Sequence, residues 1–299
     1  MKHALGIDIG GTNSRISLFD EKLELISKTT IQTDPNNSNI TLGEICDYIE
    51  LLKESHEIVG IGACAPGPLD LINGKILESP NLPGWSNCEV AKIIEMKTNI
   101  PVKLENDANL AAFAEAKVGL GAGLDVVQFL TISTGVGSGL VINGKIYSGA
   151  HGFAHEIANL IVDPSGNKKG DLQKGSVESI ASGTAITEVA ISRGLDVKHA
   201  GEVNDLALSG NLLARQTMDE AYDGLSSCIA AIVSLIDPNI IILSGSVALK
   251  IDGFVERIEK MTKEKVFEAV KPYVKVVKSN LDGDSGILGA ALLGFEIAK

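Results

Sequence analysis

Two short glycine-rich turns of the same design constrain this chain more than any other feature. Asp8-Ile9-Gly10-Gly11-Thr12-Asn13 lies near the start, and Ser133-Thr134-Gly135-Val136-Gly137-Ser138-Gly139 lies near the middle. Each follows a β-branched apolar run (residues 5–9; 126–132) and precedes another (16–19; 140–142), the pattern of strand, tight turn, strand. Glycine at a tip permits positive φ and lets N–H groups approach a ligand, and Thr12 and Thr134 add hydroxyls. Such a tip can hold phosphate. Taken singly, either turn is more simply an ordinary hairpin; the recurrence in both halves is what points to anion binding.

A chain of 299 residues exceeds the usual single domain, so two domains are expected, each with its own core. Twenty-six Lys and Arg against 38 Asp and Glu give a net charge of −12, which disfavours nucleic acid and anionic membrane as partners. Any anionic ligand needs a locally built site. Cys46, Cys64, Cys88 and Cys228 share no CxxC spacing and sit among apolar neighbours, which reads as buried thiols in a reducing compartment. With no signal-peptide pattern and no apolar run long enough to span a bilayer, the expected location is the cytoplasm.

The remaining elements alternate strand and helix, as in an α/β protein. A third strand is expected over 24–32, then a helix opened by the capping-box spacing Thr41-x-x-Glu44, a buried strand over 58–63, a helix over 89–97 and a strand over 102–105. Proline and glycine mark loops at 65–68 and 79–85. A helix beginning at Asn106 or Asp107 runs to 118, and Gly119-Leu-Gly-Ala-Gly123 reads as a hinge about which two domains open and close. It is no dinucleotide motif: the third glycine is replaced by Leu124, and a helix precedes it. The second half continues with a strand over 145–148, a polar loop over 163–174, helices over 177–238 (one spanning 211–235) and strands at 240–243 and 274–278. A helix over 255–269 separates those strands, and an apolar helix over 287–297 is expected to pack back onto the first domain. The resulting division is 1–118 plus 285–299 against 119–284.

The DxGGT run at 8–12, Leu104-Glu-Asn-Asp-Ala-Asn109, the second hairpin at 131–139 and Gly149-Ala-His-Gly-Phe-Ala-His-Glu156 together resemble the ROK family. That family comprises bacterial glucokinases, fructokinases, acetylhexosamine kinases and related repressors. The resemblance continues through Val162-Asp163-Pro164, Glu178, Ala181-Ser-Gly-Thr184 and Gly245 to Gly286-Ile-Leu-Gly-Ala290, nearly the whole chain in order. It implies the actin-like ATPase (ribonuclease H-like) fold, two α/β domains with a cleft between them. It also implies an ATP- and Mg²⁺-dependent kinase acting on a hexose or N-acetylhexosamine. Glucose and N-acetylmannosamine lead as acceptors at the 6-hydroxyl, a β-glucoside or fructose is the alternative, and a homodimer is the implied assembly.

A sugar hydroxyl is a poor nucleophile, so transfer gains from a carboxylate that takes its proton. Asp107 stands where strand gives way to helix, at the sheet edge where α/β ligands collect, and the helix dipole there favours the ionised form. On the residues alone, catalytic base and helix cap are equal readings for Asp107; the resemblance makes it the base. It also makes Asp8 a ligand of phosphate-bound Mg²⁺ through water, where the local alternative is an Asx turn. Gly10, Gly11, Thr12, Thr134, Gly135 and Gly137 would line the phosphates, and Gly245 would lie beneath the adenosine. Asn81, Asn106, Asp107, Glu156 and Glu178 match positions that bind sugar hydroxyls in relatives, although both glutamates also read as solvated surface.

One departure stands out. Many relatives hold a structural zinc with a histidine three residues after the sugar-binding glutamate and a CxCGxxGC cluster. Here those positions are Asn159, Lys169, Asp171 and Ser176, so no zinc site is expected and polar contacts must order the loop. His155-Glu156-x-x-Asn159 falls short of HExxH, and His151 and His155 read as loop hydrogen-bonders. A sugar-responsive repressor would place a helix-turn-helix ahead of the body, and the DxGGT turn begins at residue 8.

Overall fold

The computed structural model describes residues 1–281 and 283–298. The chain divides into two compact units. The first comprises Met1–Ala114, Ser148–Ala154 and the C-terminal segment; the second comprises Glu115–Tyr147 and His155–Leu281. The division falls inside a helix at 114/115 rather than at Gly119, and the short loop at 148–154 belongs with the first unit. The glycine segment 119–123 therefore lies wholly within the second unit. It is tied down there by Glu115, whose backbone carbonyl accepts from the N–H of Gly119 and Gly121 and whose carboxylate accepts from that of Leu120.

In the first unit, β1 (Lys2–Ile9), β2 (Asn13–Asp20) and β3 (Leu25–Gln32) form an antiparallel meander, followed by α1 (Ser38–Lys53) and β4 (Glu57–Cys64). A small ribbon of β5 (Leu69–Asp70) and β6 (Lys75–Ile76) leads to α2 (Val90–Thr98), β7 (Val102–Glu105) and α3 (Asp107–Val118). The sheet order is β3-β2-β1-β4-β7, with β4 and β7 parallel to β1. The second unit repeats the plan. β8 (Val126–Ile132), β9 (Val136–Ile142) and β10 (Lys145–Ile146) form the meander. Helices α4 (Val177–Ala181), α5 (Gly183–Ser192), α6 (Ala200–Leu208) and α7 (Leu212–Ile236) follow, then β11 (Ile240–Ser244), α8 (Gly245–Lys250), α9 (Phe254–Glu264) and β12 (Val276–Lys278). The order is β10-β9-β8-β11-β12, again antiparallel on one side of the first strand and parallel on the other. The last helix, α10 (Ser285–Ile297), belongs to the first unit.

Two separate apolar cores match this division. Leu5, Ile7, Ile45, Ile61, Trp85 and Ile94 lie in the first, and Leu130, Val177, Ile229, Ile241 and Phe254 lie in the second. α10 packs on β1 and β4 with almost no side chain between. A methyl on Gly6 would meet the carbonyl oxygen of Ile287, one on Gly62 that of Ala290, and one on Gly60 that of Gly294. Only glycine lets a helix approach a strand this closely.

Several boundaries differ from the sequence reading for local reasons. α1 begins at Ser38 because Asn37 caps it, its side chain accepting from the Asn39 N–H. Thr41 lies inside the helix, where its hydroxyl accepts from the Asp34 N–H. α9 ends at Glu264 rather than 269, and β12 starts only at Val276, because a 3₁₀ turn at Lys271–Tyr273 with Pro272 intervenes. No described helix is long and apolar enough to cross a membrane.

Candidate active site

The first unit gathers carboxyl groups where β1, β4 and β7 end. Antiparallel pairing sets Arg15 opposite Asp8, and its Nε and Nη2 both donate to Asp8 Oδ2, at 3.0 and 2.5 Å. Parallel pairing sets Cys64 beside Asp8, and its thiol lies 3.4 Å from Oδ1. Hydrogen bonding to Asp8 raises the Arg15 pKa against the opposing effect of burial. Burial pushes the Cys64 thiol well up, and the charges of Asp8 and Asp107 add to it. All of Asp8, Cys64 and Asp107 thus share one electrostatic neighbourhood.

Asp107 is the first residue of α3, separated from the end of β7 by Asn106 alone. Its Oδ1 accepts the Ala108 N–H at 2.8 Å, but Asn106 Oδ1 accepts the same N–H at 2.9 Å and that of Asn109 at 3.3 Å. Asn106 therefore already fills the capping role, leaving the Asp107 carboxylate for other work. Asp107 stays open to solvent, yet the protein packed around it raises its pKa, the Ala108 N–H opposes this, and the Asp8 charge raises it further. The helix start does favour the anion, as the sequence suggested, but desolvation is the larger effect and the net shift is upward. Glu105, 1% exposed, braces the turn by accepting from the Asn106 N–H and the Asn109 side-chain amide.

In the second unit, the hairpin tip is Ser133–Gly135, and Gly137 lies within β9 opposite Thr131. Ser133 and Thr134 line a cavity of about 700 Å³ together with Gly183, Thr184, Ser246 and Val247. Lys198, His199, Asn204 and Asp252 line it as well. Gly245 is not on its wall. Its φ of +86° and the nearby carbonyl of Ile132 require glycine there, and it sets Ser246 so that its hydroxyl meets that of Ser133 at 3.1 Å. Glu178, on α4, accepts the Val136 N–H at 2.9 Å, which fixes it directly behind the hairpin tip.

The glycines act differently from expectation. Gly10, Gly11 and Gly135 do not take positive φ; close approach is what excludes a side chain. A methyl on Gly10 would stand 2.7 Å from the Asn13 carbonyl oxygen, and one on Gly135 would stand 2.7 Å from Glu178 Oε2. A methyl on Gly11 would meet Asn81 Cβ at 3.0 Å, so Asn81 packs directly on the first tip. Thr12 lies at that tip, where its carbonyl accepts the Thr33 N–H.

Glu156 precedes a 3₁₀ turn, Ile157–Asn159, which packs against β9 and α4. His155 adopts φ +66°; its Nδ1 is buried without a hydrogen-bond partner, and its ring packs edge-on to Tyr147, so it is no hydrogen-bonder at that atom. Polar contacts hold the loop that follows this turn. Asn159 Oδ1 accepts the Gln173 N–H at 2.7 Å, and Lys169 Nζ donates to Ser182 and Thr184. Among the described residues no group of three His, Cys, Asp or Glu could hold a metal. Sequence reasoning gave Arg15 no role, read Cys64 only as a buried thiol and Lys169 only as a position that lacks a zinc-binding thiolate. Only strand register could have suggested the first two, and no motif signals the third.

Comparison with known proteins gives a consistent answer. The ROK family pattern matches residues 4–296. A glucokinase of Thermotoga maritima is 30% identical, aligned over 96% of this chain and 95% of its own. An N-acetylmannosamine kinase of Yersinia pestis is 31% identical over 98% of each. The crystal structure of a ROK family glucokinase from Streptomyces griseus, in complex with glucose and AMPPNP, superposes with a TM-score of 0.76 at 28% identity, covering 98% of this chain and 99% of that one. The duplicated sheet plan is that of the actin-like ATPase fold of these sugar kinases. With the family pattern covering all but the first three and last three residues, this chain belongs to the ROK family.

Proposed function

We propose that this ROK sugar kinase transfers the γ-phosphoryl group of ATP to the 6-hydroxyl of glucose or N-acetylmannosamine, with Asp107 taking the hydroxyl proton. Asp107 itself is the observation that carries this reading. A base works best when its pKa lies nearer the working pH than that of a free carboxylate, and Asp107, reachable from solvent yet crowded by protein and the Asp8 charge, is moved that way. The new bond joins the sugar oxygen to the γ-phosphorus, the bond to the β-γ bridging oxygen breaks, and ADP leaves with that oxygen. The proton ends on Asp107.

The second unit supplies the nucleotide pocket: the 700 Å³ cavity falls within the range of ligand pockets, and the Ser133–Gly135 tip offers N–H and hydroxyl donors to phosphate. Asn81, Asn106, Glu156 and Glu178 supply sugar contacts. Gly10, Gly11 and Thr12 supply the first phosphate turn. Mg²⁺ stays largely hydrated and is shared with phosphates, so Asp8, the carboxylate near the end of β1, would hold it through water. When bound, Mg²⁺ neutralises charge on the bridging phosphates.

The acceptors named by the relatives, glucose and N-acetylmannosamine, motivate the substrate choice; a β-glucoside or fructose is the second reading. A coupled ADP-release assay over glucose, fructose, N-acetylmannosamine, N-acetylglucosamine and a β-glucoside tests it. Phosphorus NMR of the product should show a 6-phosphate. Turnover on none of these sugars, or a product phosphorylated at another hydroxyl, would refute the proposal. The same reading includes a homodimer, which sedimentation equilibrium checks.

A further inference from the structure

Lys169 sits in the polar loop between β10 and α4, yet its side chain is only 21% exposed. Its ammonium donates to Ser182 Oγ at 3.0 Å and Thr184 Oγ1 at 2.8 Å, and Glu178 Oε1 lies 3.8 Å away. The two hydroxyls accept from it, and the carboxylate faces it as an ion pair. The Thr184 hydroxyl spends its hydrogen on the carbonyl of Thr134, at the hairpin tip. Ser182 Oγ caps α5 by accepting the Ala185 N–H, and Glu178 accepts the Val136 N–H through its other oxygen. Two accepting hydroxyls and a nearby carboxylate suit a cation that donates and never accepts, which is what an ammonium is. One cation therefore ties together the loop, the carboxylate of α4, the start of α5 and the turn that borders the cavity.

We propose that Lys169 is a positioning residue: its ammonium holds Glu178 and the Ser133–Gly135 turn at a fixed spacing, so that the sugar-side carboxylate and the phosphate-side turn are set by one charge. The inference rests on the reading of Glu178 as a sugar ligand and of the turn as a phosphate ligand. Without the ammonium, the Thr184 oxygen lacks a donor and Glu178 loses its cationic neighbour, so the Val136 N–H to Glu178 bond and the Thr184 to Thr134 bond both slacken.

Two readouts test this on the intact chain. Hydrogen exchange of the segment 133–136, measured with no ligand, should accelerate by about tenfold in Lys169→Met, remain near wild type in Lys169→Arg, and accelerate again in Thr184→Val, where the charge is retained. Steady-state kinetics with glucose and ATP should show both KM values of Lys169→Met rising together by about five- to tenfold, with kcat falling less and Lys169→Arg restoring them. Wild-type exchange in Lys169→Met, or a KM rise for neither substrate, would overturn the proposal. Absence of turnover by the wild-type protein on every sugar would instead sink the kinase reading, and the exchange measurement would still decide the role of Lys169. Melting curves of all three variants show that exchange is compared among folded proteins.

Discussion

Replacing Asp107 by Asn separates catalysis from capping, because the substitution keeps the shape and one acceptor oxygen while abolishing basicity. The start of α3 should not notice the change: Asn106 Oδ1 accepts the N–H groups of Ala108 and Asn109, and the amide oxygen of the substituted side chain can still accept that of Ala108. Loss of a positioned base lowers kcat by about 10² to 10⁴, or about 3 to 5 kcal/mol of transition-state stabilisation. Stability should move the opposite way. The Asp107 pKa is raised in the folded state, so the folded protein holds the proton more tightly than the unfolded chain does. Folding is therefore opposed by the ionised carboxylate above the folded pKa, and the penalty vanishes below the unfolded value of about 3.9. Because the side chain is open to solvent, the effect is small: Asp107→Asn should melt at or slightly above wild type at pH 7 and equally at pH 3.5. A rapid-quench or coupled assay gives kcat, and calorimetry at the two pH values gives the stability difference. A variant that retains more than a tenth of wild-type kcat refutes Asp107 as the base; one that melts lower at pH 7 refutes the argument that Asn106 carries the cap.

Other consequences can be checked independently. Gly62→Val should destabilise the first unit by about 3 kcal/mol or more, read from urea unfolding, because the side chain would collide with the Ala290 carbonyl of α10 and neither backbone can yield. Gly245→Ala should weaken AMPPNP binding in calorimetry, since φ +86° and the Ile132 carbonyl leave no room for a methyl and Ser246 must shift; unchanged affinity would remove Ser246 from the nucleotide wall. All four thiols are buried, with burial raising their pKa values, that of Cys228 to about 12. An aromatic disulfide reagent at pH 7.5 should therefore label the native protein slowly and all four cysteines rapidly in guanidinium.

Much of this architecture was legible in the sequence where local rules and tertiary demands agree. The strand at 102–105 and the helix from Asp107 to Val118 emerge with the expected limits because an apolar alternation, a polar cap and a glycine stop coincide there. The start of α1 was missed because two caps competed, and the Asx turn at Asp34, which accepts from the N–H groups of Asn36 and Asn37, sets the chain up for Asn37. The phosphate-type turns were visible, but not the reason for their glycines. The Glu178 carboxylate that excludes a side chain at Gly135 bonds the next residue, Val136, from 42 positions away, and no local pattern encodes such a contact. The ion pair of Arg15 with Asp8 and the Lys169 cluster were invisible for the same reason: each needs the register or the folded loop before its partners meet.

The seating of α10 against β1 and β4 also bears on how the polypeptide is made. A nascent chain leaving the ribosome has the whole first sheet in hand once residue 105 emerges, yet the helix that covers its far face is about 180 residues behind. At roughly 5 to 20 residues per second that is a wait of about 10 to 40 s. Throughout it, a glycine-grooved surface meant for a helix backbone stands open to water, while the second unit, built almost entirely from one continuous stretch, can complete itself first. The first unit would then be completed after the second, by a helix that emerges about 180 residues behind the sheet it covers.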